Sequence, residues 1–341
     1  FLLRNGVYNV MIKALALISG GLESILAAKI IQDMGIEVAG VYFKLPFSAR
    51  GTKNNSSLDV LSRQLLQGLA IELKIVELDE EFLEIVRHPK HGYGKNINPC
   101  IDCKILMLSR AKGIMEAMGA EFLISGDVFG RHPIFQLDLA SQKAGVEDLL
   151  LRPLSAKLLK PTVPEEKGWV SRDKLFDFTS RSRQALMELA VMLGVIDYVD
   201  VSAGCLLTDS NFARRLRDLI KFGKYDLANI ALLKVGRHYR FHPGAKLVVG
   251  RNEGENAEIE SLAQSGDFLF APAQDIAGPS ALGRGDFDES LISLAAGILA
   301  RYCDIKDKTS LDISCRRLSE GQGYTGNTIP LPDEESKKYR L

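Results

Sequence analysis

The chain has 341 residues with 43 basic and 43 acidic side chains, so its formal net charge is zero. That balance excludes a whole-chain field attracting nucleic acid and leaves any RNA surface to a local patch. The 46% hydrophobic and 25% charged content is that of a soluble globular protein long enough for two or three domains. No apolar run approaches the roughly 20 residues of a membrane span. Residues 1–10 precede Met11 and lack the apolar core of a signal peptide. They are read as an upstream remnant and set aside, and the expected location is the cytoplasm. Five cysteines, an odd number, with two in a Cys-x-x-Cys, argue against a disulfide framework.

In chain order, Lys13 to Ile18 reads as a buried strand that meets Ser19-Gly20-Gly21 and enters a helix from Leu22 to Met34. Glycines lack Cβ, so Gly20 and Gly21 allow an anion to approach the backbone closely, and a helix N-terminus adds donors and a favourable dipole. The bland alternative is an ordinary strand-to-helix turn, and no Walker A signature closes this loop. A second strand is expected at Glu37 to Phe43, a polar loop at Ser48 to Ser57, a helix from Leu58 to Leu69 and a strand from Glu72 to Leu78. Glu80 to Val86 reads as a helix. The alternation argues for a parallel sheet with helices on both faces.

His88 to Asn98 is a loop leading into Asn98-Pro99-Cys100-Ile101-Asp102-Cys103-Lys104, at the entrance of a helix that runs to about Met118. A helix entrance stabilises thiolates, and two thiols at this spacing suit one metal or a redox pair. His88 and His91 are candidate further ligands, though their spacing matches no standard zinc pattern. Lys104 is placed to stabilise the neighbouring thiolate, to hold a phosphate, or simply to be solvated. Glu121 to Ser125 is a strand ending in a second glycine-bearing turn, Gly126 to Pro133, where His132 either faces nucleotide or substrate or is a loop histidine bonded locally. Leu149 to Leu151 is a candidate last strand of the sheet.

Arg181 to Leu193 reads as a helix, and Cys205, after Gly204, as a core cysteine on its own merits. Thr208 or Asp209 caps a helix to about Phe222, on which Arg214, Arg217, Lys221 and Lys224 share one face. That face is either an RNA surface or simply solvated. Short strands follow at Leu232 to Val235, Tyr239 to Phe241 and Lys246 to Val249. A helix is expected at Asn256 to Ala263, a strand at Asp267 to Ala271, a helix at Ser290 to Tyr302 and a strand at Ser310 to Ser314. The last ten residues are expected to fray. Cys303 and Cys315 read as structural.

Ser19-Gly20-Gly21-Leu22-Glu23-Ser24 resembles the PP-loop of ATP pyrophosphatases, Ser-Gly-Gly-x-Asp-Ser, with Glu23 in place of Asp. The resemblance implies an α/β, Rossmann-like parallel-sheet domain that splits ATP to AMP and pyrophosphate. Ser19, Gly20, Gly21, Glu23, Ser24 and Gly126 would bind the nucleotide, with Glu23 near Mg²⁺. The Asn98–Lys104 segment resembles PP-loop tRNA thiolation enzymes, among them the tRNA-specific 2-thiouridylase group. By that resemblance Cys100, Cys103 and Cys205 either hold a [4Fe–4S] cluster or carry persulfide chemistry. The sulfur would come from sulfide or a cysteine desulfurase relay, and the product is thiouridine in tRNA.

Val248-Val249-Gly250-Arg251-Asn252 and the elements after it resemble the RNA-binding NFACT-R domain, a smaller α+β unit. The expected organisation is a PP-loop domain at 11–160, an adaptor with Cys205 and the basic helix at 161–230, an NFACT-R-like domain at 231–331 and a polar tail at 332–341. Two other readings stay open: a PP-loop enzyme activating a small molecule, and an RNA-binding protein with a degenerate nucleotide site.

Overall fold

Lys13–Leu17 forms strand β1 with Ala14, Leu15 and Ala16 buried, as an unbroken apolar run does when both faces of a strand are covered. The computed structural model describes residues 11–48, 69, 71–130, 134–195, 205–273, 276–304, 310–318 and 323–341. After β1 come α1 (Leu22–Gln32), β2 (Glu37–Lys44), β3 (Leu73–Glu77), α2 (Asp79–Arg87), α3 (Cys100–Ala117), β4 (Phe122–Ser125), α4 (Ile134–Ala144) and β5 (Leu150–Leu151). The strands form one sheet in the order β3-β2-β1-β4-β5, every pairing parallel. β1 is therefore central, and the loop after it opens at the carboxyl edge, where such sheets bind ligands.

The core joins Ile25, Leu26 and Ile31 of α1 to Val38, Phe122 and Ile124 of the sheet. Each such side chain contributes about 1.5–3 kcal/mol on burial. The unit closes with α5 (Val163–Glu166) and α6 (Arg183–Met192) and ends at Cys205. The boundary thus falls inside the stretch expected to be an adaptor. Helix α4 was not anticipated; its buried positions Leu137, Ala140 and Ala144 do carry helical spacing. The helix expected over Leu58 to Leu69 lies outside the described residues, apart from Leu69.

The second unit, Leu206–Leu341, begins with α7 (Ser210–Phe222) and α8 (Leu227–Leu233). It continues through β6 (Arg237–His242), β7 (Ala245–Val249), α9 (Glu253–Ser261), β8 (Phe268–Pro272), β9 (Ala281–Gly285), α10 (Glu289–Ala300), β10 (Leu311–Arg317), β11 (Gly323–Thr328) and α11 (Asp333–Lys337). Its sheet has the order β11-β10-β8-β9-β7-β6 and is antiparallel throughout. Tyr239, Leu247 and Phe270 pack with Ile298 and Leu299 of α10. Val248 and Leu282 pack with Leu232, Val235 and Ile259 in a separate cluster.

Three expectations fail here. Leu232 and Leu233 end a helix rather than start a strand, because Asp226 caps α8 by accepting from the Asn229 N–H at 2.8 Å. Lys224 lies beyond the Gly223 cap of α7 and so leaves the helix face shared by Arg214, Arg217 and Lys221. The last residues do not fray: Tyr339 O accepts from the Arg240 N–H at 2.8 Å and the Leu341 N–H donates to His238 O at 2.9 Å. This short antiparallel pairing covers the outer edge of β6, one of the ways proteins protect an edge strand.

Candidate active site

The β1–α1 turn needs glycine at Gly20, whose φ of 85° lies in the left-handed region. Gly21 starts α1 without a side-chain cap, which suits that helix end to an anion. Two serines hold the turn. Ser19 Oγ donates to Ser24 Oγ at 3.2 Å, and Ser24 Oγ donates to Gly21 O at 2.8 Å. The Ser19 N–H donates to Ser24 Oγ and the Gly21 N–H to Ser19 Oγ, at 3.2 and 3.3 Å. Glu23 sits in the first turn of α1, half-buried.

Gly126, at the end of β4, lies against this turn. A Cβ there would stand 2.5 Å from the Ser24 backbone nitrogen and 2.6 Å from the Glu23 carbonyl carbon. Asp127 then reaches two ways. Its carboxylate accepts from Ser125 Oγ at 2.6 Å and from Lys104 Nζ at 3.3 Å. Lys104 directly follows Cys103 on α3. One short relay, Ser24–Gly126–Asp127–Lys104–Cys103, therefore joins the glycine turn to the cysteine helix. Sequence reasoning missed Asp127; its signal was a Ser-Gly-Asp string at a second carboxyl strand end.

Cys103 is brought beside Cys100 and Cys205. Its thiol is pushed up to about 12, first by burial, then by the charges of Cys205, Cys100 and Asp102, with Lys104 opposing. This corrects the expectation of a helix-stabilised thiolate, since burial and like charges outweigh the helix end. Cys205 enters through an antiparallel bridge to Ser48. Among the described residues no group of three or more His, Cys, Asp or Glu is placed to hold a metal ion. The three thiols are thus neighbours of the donor type that iron–sulfur clusters take, without forming a site for a single ion. His91, a candidate ligand by sequence, is instead committed to Asp102 at 2.8 Å, and His88 is exposed. His132 lies outside the described residues.

Arg214, Arg217 and Lys221 are exposed on α7, opposite buried Phe212, Leu216 and Leu219. Lys224 is exposed in the following turn, 3.8 Å from Asp226. Burial pushes the thiols of Cys303 and Cys315 up to about 11. Asn252 caps α9, accepting from the Glu255 N–H at 3.1 Å. Among the described residues no helix is long and apolar enough to cross a membrane.

A parallel sheet with Ser-Gly-Gly turning from its central strand into a helix defines the PP-loop class. Residues 9–157 match the family described as thiamine biosynthesis protein (ThiI), and residues 236–340 match the NFACT protein RNA binding domain. The N-terminal unit is thus a PP-loop domain of the ThiI kind, and the C-terminal unit carries an NFACT-type domain.

The chain is 30% identical over 119 residues to tRNA-specific 2-thiouridylase MnmA 2 of Clostridium botulinum, a match covering 34% of this chain and 33% of that relative. It thus spans about a third of that relative's length. Against tRNA-specific 2-thiouridylase MnmA of Geotalea uraniireducens the identity is 23% over 347 residues, covering 94% of this chain and 85% of the relative. Among solved structures, a 4-thiouridine synthetase–RNA complex with bound ATP overlaps with a TM-score of 0.38 at 18% identity, covering 65% of this chain and 52% of that one.

Proposed function

We propose that the chain is an ATP-dependent sulfurtransferase acting on tRNA, which adenylates a uridine carbonyl oxygen and replaces it with sulfur. The observation that carries this reading is the relay from Ser24 through Gly126, Asp127 and Lys104 to Cys103. It puts a phosphate-type turn and a set of thiols at one edge of one sheet. The ThiI-type match and the thiouridylase relatives supply the RNA side of the argument.

ATP lies over Ser19 to Ser24, its phosphates against the Gly20 turn and the start of α1, with Glu23 and a Mg²⁺ ion neutralising charge. The uridine carbonyl oxygen attacks the α-phosphorus and pyrophosphate leaves, so that oxygen now departs as part of AMP. A persulfide on one of Cys103 and Cys205 attacks the activated carbon and expels AMP. The second thiolate then attacks the carrier sulfur. This releases the thiouridine and leaves a Cys103–Cys205 disulfide, which an external thiol reduces. A cysteine desulfurase relay loads the reduced thiol by passing on the outer sulfur of its own persulfide and leaving as a thiol; sulfide loads it instead by attacking the Cys103–Cys205 disulfide, which gives a persulfide on one cysteine and frees the thiol of the other. A [4Fe–4S] cluster, if bound, would be held by Cys100, Cys103 and Cys205 and would supply sulfide in place of the persulfide. Arg214, Arg217, Lys221 and Lys224 contact RNA phosphates, which makes binding salt-dependent.

Labelled ATP with bulk tRNA, followed by mass spectrometry of the nucleosides, tests this. AMP, pyrophosphate and a new thiouridine are expected. AMP release without RNA would point to small-molecule activation instead. No AMP release with any RNA would sink the enzyme reading.

A further inference from the structure

Three cations stand in one row across the C-terminal sheet. Arg240 on β6 pairs in register with Lys246 on β7, and Lys246 pairs with Arg284 on β9. Directly opposed residues of neighbouring strands share a face, and like charges opposed in this way repel. The outer two are neutralised. Arg240 makes a bidentate pair with Asp218, with contacts of 2.6 to 3.2 Å, and Arg284 does the same with Asp267.

Lys246 is different. It is 7% exposed, yet among the described residues its amine has no carboxylate within ion-pair distance. A buried charge without a partner is costly. All three side chains line a cavity of about 420 Å³ within the C-terminal unit, the size of a small-ligand site. Lys224 and Asp286, both exposed, also line it, and Lys224 lies 3.8 Å from Asp226.

We propose that this cavity is a phosphate-binding site, in which the Lys246 ammonium takes the anion between the guanidinium groups of Arg240 and Arg284. Those guanidiniums are fixed by their own carboxylates and Arg284 also by Asn229 Oδ1 at 2.9 Å, so the row is organised before the ligand arrives. An anion supplies a countercharge within ion-pair distance of Lys246, where the described residues place none and Asp218 acts only from farther off. The phosphate belongs either to a free mononucleotide-sized molecule or to an RNA strand. The site is built within one unit, so it stands whether or not the N-terminal unit thiolates RNA.

The test is local to the amine. The full chain is acetylated at neutral pH with an N-hydroxysuccinimide ester, and Lys246 is followed by peptide mass mapping against exposed Lys143 as reference. Inorganic phosphate, AMP, and a short oligoribonucleotide with and without a 5′-phosphate are compared with chloride at equal ionic strength. A bound phosphate should slow Lys246 labelling about tenfold at about tenfold excess over its dissociation constant, leaving Lys143 unchanged. Protection by phosphate or AMP supports the site with a free ligand, and protection by oligonucleotide alone supports it with an RNA phosphate. No protection by any of them, or equal protection by chloride, overturns the proposal. In parallel, Lys246→Met should lose the phosphate-induced rise in melting temperature that the native chain shows, and a variant that keeps the full rise also overturns it.

Discussion

Nδ1 of His91 lies 2.8 Å from Oδ1 of Asp102, and the His91 backbone N–H donates to Oδ2 at 3.0 Å. Asp102 sits between Cys100 and Cys103 in the first turn of α3, its side chain 7% exposed. One carboxylate thus buckles the His88 to Asn98 loop onto the cysteine helix. Asp102→Ala removes the acceptor of two hydrogen bonds from the exposed His91 and should cost about 0.5–1.5 kcal/mol, read as a lower urea midpoint. Asp102→Asn keeps an acceptor and should cost less. Equal midpoints for all three chains would mean that the buckle contributes nothing.

Gly126 is the second prediction. The atoms a Cβ would meet are backbone of Glu23 and Ser24, which cannot rotate away as a side chain can. Gly126→Ala must push the start of α1 off the end of β4. ATP affinity should fall by about tenfold or more, because a displacement of about an ångström at a positioned site costs on that order or beyond. Equilibrium binding of ATP, with circular dichroism confirming the fold, decides it; unchanged affinity would remove Gly126 from the nucleotide site.

The β1 turn was legible because its signals are local: an apolar strand run, two glycines and a helical pattern lie within twenty or so residues. The Asn98–Lys104 segment was legible for the same reason. What sequence reasoning missed depends on register. Arg240, Lys246 and Arg284 come from three strands, and nothing in their spacing places them in one row. Strand β9 itself was missed because Ala281-Leu282-Gly283-Arg284-Gly285 carries two glycines, which weaken a strand pattern. The tail looked polar and free, yet Tyr339 packs edge-on against Phe241 at 5.4 Å, a contact that only the fold creates.

Glu23 departs from the family aspartate by one methylene. If its charge serves Mg²⁺, Glu23→Gln should slow ATP turnover by about a hundredfold, since metal placement supplies several kcal/mol. Glu23→Asp should retain most activity. A Gln variant as fast as the native chain, at saturating Mg²⁺, would indicate a site that has lost its metal chemistry.

The cysteines separate by function and by reactivity. Cys103→Ser and Cys205→Ser should abolish thiouridine formation, while Cys303→Ser and Cys315→Ser, which belong to the C-terminal unit, should not. Burial and neighbouring charge hold the Cys103 thiol up at about 12, so iodoacetamide at neutral pH should modify it slowly. Lys104 is the neighbour that favours its thiolate, and Lys104→Ala should slow modification further. Fast labelling of Cys103 in that variant would contradict the arrangement.

The last prediction concerns pH. The Lys246 amine is pushed down from 10.5 to about 7, chiefly by burial, with Arg240, Arg215 and Arg284 lowering it and Asp218 opposing; buried His238 also faces it. The unfolded chain keeps an ordinary lysine, so above about pH 7 the unfolded state binds more protons and stability from this group rises with pH, up to about 10.5. Phosphate affinity runs the other way, because only the ammonium attracts the anion, and it should fall as pH rises through about 7. His238 is held well below its usual range and stays neutral across this window. Urea midpoints and phosphate-induced melting shifts at about pH 6 and 8.5 should therefore move in opposite directions in the native chain. In Lys246→Met both trends should vanish, and the midpoint at the lower pH should rise, since an apolar side chain removes an unpaired buried charge. A variant that keeps either trend would place the titrating group elsewhere.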